Sequence, residues 1–425
     1  MESSRRSRFP PMKCDVLVLG AGMAGVSAAL HLQKRGRSVV LVDRRGAAEE
    51  TSYGNAGIIQ REGVVPYGFP RDLRKLWRYA LNLLPEAHFH WRALPSAAPW
   101  LFKYWRFSSP ERLAAAARAA RPLVERCIEE HKALMQEAGI LDMIRPTGYL
   151  KLFRTHAQFE ETLEELEENK RNFGIAFEVL ARDALLNREP HVRGNFAGAL
   201  LMTDPVSVTD PSAVGKAYAQ LFVKQGGHFL TGDARTLEVA SGGWQVQNVE
   251  GPVRGRDAVI ALGPWSDEVL KLFGVRVPLG IKRGYHMHFR ALGNATLNAP
   301  VLDFEKGYVL APMSRGIRLT TGAEFAPRDA PATPVQLTKV EPIARRLFPL
   351  AERIDEKPWI GARPCLPDML PMIGPIPGRK GLWADFAHHH LGFTLGPVSG
   401  RLLAEMMSGE ATFTDPAPYR PDRFS

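Results

Sequence analysis

Gly20, Gly22 and Gly25 stand in G-x-G-x-x-G spacing with Asp43 about twenty residues further on, the residue types that can hold a diphosphate and a ribose. Gly20 permits a tight turn, Gly22 leaves room for a pyrophosphate to reach backbone N–H groups, and Gly25 lets a helix pack closely on a strand. The first N–H groups of that helix lack intrahelical partners and carry partial positive charge, so they can hold a diphosphate without a dedicated lysine. Asp43 is placed to accept from ribose hydroxyls and would repel a 2′-phosphate. In TSYGNAGII, residues 51–59, Ser52, Tyr53 and Asn55 lie among glycines that let backbone approach a flat ligand. Its bland alternative is a plain loop. The stretch HHHLGFTLGPVSGRLLAEMM, residues 388–407, is a glycine-rich turn feeding a helix. If that helix starts near Phe393 to Pro397, its positive end could face the pyrimidine edge of a flavin and stabilise the charge that arises on reduction. A nicotinamide has no such need, which favours FAD over NAD.

The elements that must position these groups are legible in the pattern. Val16 to Leu19 is an apolar run of the kind found in a central parallel strand, and the second strand ends at Asp43. In DAVIALGPWSDEVLKLFG, a strand Ala258 to Ala261 runs into Gly263 and a helix from Pro264 and Ser266, bringing a second backbone turn toward the crevice. Residues 213–227 read as an amphipathic helix leading to short strands, and GYHMHF, GYVLAP and GIRLTT alternate as in a separate antiparallel sheet. One or two helices are expected over 111–138, depending on whether Pro122 breaks the run, another at 156–173 between a Thr155 cap and Gly174, and one at about 335–348. From residue 71 a basic amphipathic helix begins, with Leu73, Leu76, Trp77, Ala80, Leu81 and Leu84 on one side and Arg71, Arg74, Lys75 and Arg78 on the other. Trp91, Trp100 and Trp105 follow. This segment suits a membrane interface, a partner, or the protein's own second domain.

With 425 residues, 45% hydrophobic and 24% charged, the chain has material for a large core and two domains. No stretch reaches the roughly 18 apolar residues of a spanning helix, and the N-terminus, with Arg5, Arg6 and Arg8, has no apolar signal core, so a cytoplasmic protein is expected. Cys14, Cys127 and Cys365 are far apart and lack ligand spacing, so neither a disulfide nor a metal site is expected. Three adjacent histidines, His388 to His390, rarely converge on one ion. The net charge of +10 comes from dispersed residues without a nucleic-acid module, which argues against nucleic acid.

The order of early dinucleotide unit, middle A-L-G-P turn and late glycine-helix turn resembles the D-amino acid oxidase superfamily of FAD enzymes, most closely the bacterial D-amino acid dehydrogenases of small-subunit type. The resemblance rests on Gly20 to Gly25 with Asp43, Ser52 to Gly57, Ala261 to Trp265, Gly361 to Pro364 with Pro367-Asp368 and Ile373-Gly374, and His390 to Gly396. It implies an α/β fold: a discontinuous Rossmann-like FAD-binding domain (13–90, 195–275 and 358–415) plus an α+β substrate domain (91–194 and 276–357) whose antiparallel sheet roofs the flavin. It further implies noncovalent FAD, since Cys365 stands too close to Asp368 to match the cysteine that some relatives attach to flavin. FAD contacts are expected from Gly20, Gly22, Met23, Gly25, Asp43, Arg44, Ser52, Asn55, Ala56, Gly57, Ala261, Gly263, Trp265, Arg363, Leu391, Gly392, Phe393 and Thr394. Arg363 matches the family arginine that pairs with a substrate carboxylate, for which a guanidinium fork has the right shape. Tyr285, beside Arg283 and His286, is expected to bond the carboxylate or cover the substrate, and Tyr308 is a weaker candidate of the same kind. His390 is expected to touch the substrate amine or tune flavin, with His388 and His389 as solvated neighbours. The implied reaction is oxidation of the amine of a D-amino acid, or of a D-proline or hydroxyproline-like imino acid, to an imine that water hydrolyses. Electrons would pass to a quinone-type acceptor, with peripheral contact of 71–107 on the inner face of the membrane. An O₂-using amine oxidase of glycine or sarcosine oxidase type and a noncatalytic FAD subunit of a larger complex remain alternatives.

Overall fold

The computed structural model describes residues 12–424, so Arg5, Arg6 and Arg8 lie outside it. The apolar run becomes β1 (Met12–Leu19), followed by α1 (Met23–Gln33) and β2 (Val39–Asp43). β1 lies between β2 and the strand Gly251–Ile260 and is parallel to both, which explains why Val16 to Leu19 are apolar at every position rather than alternating. His228–Thr231 adds in parallel outside β2. Leu382–Phe386 adds in parallel beyond Gly251–Ile260, and Met372–Pro375 closes that edge in antiparallel fashion. The helix Gly392–Ser408 packs on α1 through small residues: a Cβ on Gly396 would sit 2.5 Å from Met23 Cγ, and one on Gly400 2.6 Å from Ala28 N. The first and last parts of the chain therefore build one sheet and one helix pair.

An eleven-stranded sheet forms the second layer. Its strand Gly280–Ala291 pairs in antiparallel fashion with Gly316–Thr320 on one side and Trp359–Cys365 on the other. Tyr149–Phe153 and Gly198–Met202 extend the sheet outward. Gly198–Met202 and Trp359–Cys365 are strands of this sheet, and Ala87–Phe89 joins it by pairing with Ala323–Phe325. Pairing partners far away in sequence decide which sheet a strand enters, and no local turn signal reports them.

Pro122 does not break its helix, which runs unbroken from Pro110 to Glu137. Ala116, Ala117, Leu123, Val124, Cys127, Leu134 and Met135, on both sides of the proline, are buried in the FAD-domain core. Their burial offsets the lost hydrogen bond, a cost of about 3 kcal/mol, and ties this helix to the core that also holds α1. The basic segment forms the helix Leu73–Ala80 and then the helix Leu94–Phe107. Leu73 is 80% and Trp77 70% exposed, so their side chains face solvent rather than the protein's own core.

Candidate active site

The cleft opens where β1, β2 and Gly251–Ile260 end, outside the carboxyl edge of the parallel strands. At its floor Gly20, with φ +103°, donates its N–H to Val42 O at 2.8 Å and turns the chain into α1. Asp43 Oδ2 accepts from Ala21 N and Oδ1 from Arg45 N, both at 2.8 Å, so the acid pins the glycine loop. A carboxylate offers about four acceptor sites, which leaves capacity for ribose hydroxyls. Ser52 Oγ accepts from Met23 N at 3.1 Å, tying the small-residue loop to the start of α1.

The three glycines separate by what surrounds them. A Cβ on Gly20 would meet Ala261 O at 2.5 Å and one on Gly25 would meet Gly20 O at 1.8 Å, so protein packing alone demands both. A Cβ on Gly22 would meet only Ser52 Oγ at 3.5 Å, ordinary contact, and φ −70°, ψ 178° suits any residue. Nothing in the protein requires glycine there. The space it leaves at the N-terminus of α1 fits a diphosphate. Trp265, which lines the cleft, is flanked by the guanidinium groups of Arg44, 5.0 Å from its ring centroid, and Arg328, at 5.4 Å. At the far end Gly392 and Phe393 bring the N-terminus of the last helix to the cleft. His131 Nε2 lies 2.8 Å from Phe393 O, and burial pulls its pKa down to about 4, so the ring is neutral and donates to that carbonyl.

Of the expected cofactor contacts, Gly20, Gly22, Met23, Asp43, Arg44, Ser52, Asn55, Ala56, Ala261, Gly263, Trp265, Arg363, Gly392 and Phe393 line the cleft. Gly25, Gly57, Leu391 and Thr394 lie behind that lining and are structural. Gly57 has φ +75°, and a Cβ there would sit 2.2 Å from Val208 O. Thr394 Oγ1 accepts from Gln60 N at 3.1 Å and donates to Ile58 O at 3.3 Å. Leu391 is buried in the core.

The substrate side is one face of the paired strands Gly280–Ala291 and Trp359–Cys365, where Lys282 stands opposite Arg363, Gly284 opposite Gly361 and His286 opposite Trp359. The two opposed glycines make room for side chains that lie across them, and the Trp359 indole covers Gly361, whose Cβ would be 2.0 Å from the ring. The Arg363 guanidinium lies across Gly284, whose Cβ would be 2.6 Å from Nη2, and Nη1 donates to Gly322 O at 3.0 Å. Among the described residues no carboxylate pairs with Arg363. Burial lowers its pKa, yet arginine remains charged. His390 also lines the chamber, with the Tyr67 ring 5.1 Å away. Burial, then the charges of Arg363 and Lys282, pull its pKa down to about 3 and keep it neutral.

The two tyrosines are placed otherwise than expected. Tyr285 touches the cleft, but its side chain alternates to the face of Arg283, where its hydroxyl donates to Glu324 Oε2 at 2.8 Å and accepts from Thr333 N at 2.9 Å. That hydroxyl is already engaged. Tyr308 is buried in the substrate-domain core and does not line the cleft, so its expected substrate contact is withdrawn. His388 is buried with Nε2 3.2 Å from Asp385 Oδ1, and His389 Nε2 accepts from Leu366 N, so neither is a solvated neighbour. His88, His90 and Glu324 bring ligand-type atoms within 4.8 Å of one another, but Arg283, 2.7 Å from Glu324, already supplies the positive charge there. Gly284, Trp359 and Lys282 were given no role in the sequence, and Gly361 was read only as part of a motif. A glycine inside a strand signals close approach, and that signal could have found the two glycines.

A diphosphate cradle at α1, an acid placed for ribose hydroxyls and a positive helix end at a chamber walled by Arg363 fit an FAD-dependent oxidoreductase. The family model described as FAD dependent oxidoreductase, the DAO family, matches residues 15–406, and the chain belongs to that family. Its cofactor is FAD. The D-amino acid dehydrogenase of Phenylobacterium zucineum is 32% identical over 415 residues, covering 95% of this chain and 96% of its own. The D-amino-acid oxidase of Bradyrhizobium diazoefficiens is 27% identical over 420 residues, covering 96% and 98%. In fold, glycine oxidase from Geobacillus kaustophilus matches with a TM-score of 0.72 at 21% identity, covering 96% of this chain and 98% of its own. L-proline dehydrogenase from P. horikoshii matches with a TM-score of 0.72 at 18% identity, covering 98% of each chain.

Proposed function

We propose that this protein is a D-amino acid dehydrogenase that anchors its substrate by the carboxylate on Arg363. The observation that carries the reading is a guanidinium at the chamber wall, bonded to backbone carbonyls and lacking an acidic partner among the described residues. A substrate carboxylate completes it. The names of the relatives that match across the chain favour the D configuration. Bound FAD supplies the acceptor for the substrate's α-hydrogen and its electron pair. Two cations beside the chamber, Arg363 and Lys282, disfavour the ammonium form of the substrate and so favour the neutral amine that oxidation requires. Neutral His390 offers a ring nitrogen to that amine.

The acceptor in this reading is a quinone at an anionic membrane surface. Trp77, Trp91, Phe102 and Trp105 are exposed beside Arg71, Arg74, Lys75, Arg78, Lys103 and Arg106, the chemistry that binds headgroups and seats aromatic rings in the interfacial zone. No helix among the described residues is long and apolar enough to cross a membrane.

The test is anaerobic flavin absorbance as the protein meets a panel of D-amino acids, D-proline, sarcosine and their L counterparts. Bleaching by the D series is expected. Bleaching by sarcosine or glycine alone, with peroxide release in air, would replace this reading by an amine oxidase, and no bleaching at all would leave an FAD-binding subunit.

A further inference from the structure

Lys282 and Arg363 are directly opposed on adjacent antiparallel strands, which puts both side chains on the chamber face with Cβ atoms about 5 Å apart. Like charges so placed repel unless an anion lies between or beside them. On the opposite face of the same strand Arg283 has Glu324 at 2.7 Å, but among the described residues neither Lys282 nor Arg363 has a carboxylate partner. The two heads diverge along the strand. Arg363 leans over Gly284, whereas Lys282 lies toward the helix Leu94–Phe107, under the Trp100 that covers Gly280.

The surroundings of Lys282 leave it incomplete. Nζ donates to Tyr104 Oη at 2.9 Å and lies 4.0 Å from the centroid of the same ring, with Trp100 and Phe325 at 5.8 Å. The Tyr104 hydroxyl spends its own hydrogen on Tyr67 O. An ammonium has three donors, and here one has a hydrogen-bond acceptor. The aromatic rings soften the charge without neutralising it. His390 lines the chamber together with Arg363, with the Tyr67 ring tilted 5.1 Å away, and it feels the charge of both Arg363 and Lys282, so Lys282 stands just beyond the lining on the side of His390.

We propose that Lys282 binds a second acidic group on the substrate, making this enzyme one for D-amino acids that carry a side-chain carboxylate. The proposal rests on Arg363 as the α-carboxylate anchor. With one carboxylate on Arg363 and the other on Lys282, both uncompensated charges are met, whereas a neutral side chain leaves Lys282 as it is.

The experiment compares D-glutamate with D-glutamine, equal in shape and different in charge, in the FAD-loaded enzyme. A kcat/KM ratio of at least tenfold in favour of D-glutamate is expected, collapsing toward one in Lys282→Met. Binding is read separately by titrating glutarate and butyrate against the flavin absorbance: the tighter binding of glutarate should likewise vanish in Lys282→Met. A wild-type ratio at or below one, a ratio unchanged by the substitution, or turnover of D-proline with neither probe accepted would each overturn the proposal. Arg363→Met separates the two levels of argument. If it leaves butyrate binding intact, the anchor itself is refuted, whatever Lys282 does.

Discussion

Replacing Gly22 by alanine should detach cofactor binding from folding. The new Cβ would be 3.5 Å from Ser52 Oγ, and the backbone at φ −70°, ψ 178° accommodates alanine without strain. In the protein free of FAD the substitution should therefore be neutral or stabilising by about 0.4–1 kcal/mol, because it restricts the unfolded chain. In the loaded protein the methyl group occupies the space left for the diphosphate. Displacing a diphosphate from two charge-assisted N–H bonds costs about 1.5–3 kcal/mol each, roughly 3–6 kcal/mol together, or about 10² to 10⁴ in Kd. Gly25→Ala is the control, since its Cβ would lie 1.8 Å from Gly20 O and must displace backbone. That variant should lower the melting temperature of the FAD-free protein, while Gly22→Ala keeps it. The assay is fluorescence titration of the apoprotein with FAD beside thermal melts without it. The reasoning is refuted if Gly22→Ala binds FAD within threefold of wild type, or if its apoprotein melts as early as that of Gly25→Ala.

Arg363→Ala should lower kcat/KM for carboxylate substrates by about 10² to 10⁴, the loss of two charge-assisted hydrogen bonds, while the protein stays yellow; unchanged kinetics refute the anchor. Replacing Arg74 and Arg78 by Gln should weaken sedimentation with phosphatidylserine vesicles about thirtyfold at low salt, at about 1 kcal/mol per basic residue, and leave uncharged vesicles unaffected. His131 has a folded pKa of about 4 against an unfolded value near 6.5, so between these limits the unfolded chain binds the extra proton and stability falls as pH drops. That contribution is intact above about pH 6.5 and amounts to about 3 kcal/mol lost by pH 4. His131→Gln should flatten this part of a denaturation-versus-pH curve, and an unchanged slope would exclude His131 as its source.

What could be read in the sequence was local. The βαβ unit, the A-L-G-P turn and the final glycine-rich turn each span a few consecutive residues, and each is found at the cleft. The strand that follows Lys282 was legible in GYHMHF too, but the strand of Arg363 was read only as a motif, and the pairing of the two, which crosses between distant segments and creates the charged face, was not legible. Strand alternation decides which of two neighbours faces the chamber: Tyr285 has the chemistry of a substrate ligand but its hydroxyl is engaged on the other face, and Gly284, with none, makes the room that Arg363 occupies. Gly57 and Thr394 belong to cofactor-like motifs yet act by holding Val208, Ile58 and Gln60, because a motif includes the residues that shape a turn as well as those that touch the ligand.

The contact of Gly396 and Gly400 with α1 also sets an order in time. Residues near position 23 leave the ribosome long before those near 400, by roughly 20–70 s at ordinary rates of synthesis. Until then α1 has no partner for the side that receives the last helix, and the cleft lacks its far wall. In this geometry the nascent chain should not hold FAD until the last helix has joined α1. A message truncated before Gly392 should yield a colourless product, even though every residue of the opening glycine loop is present.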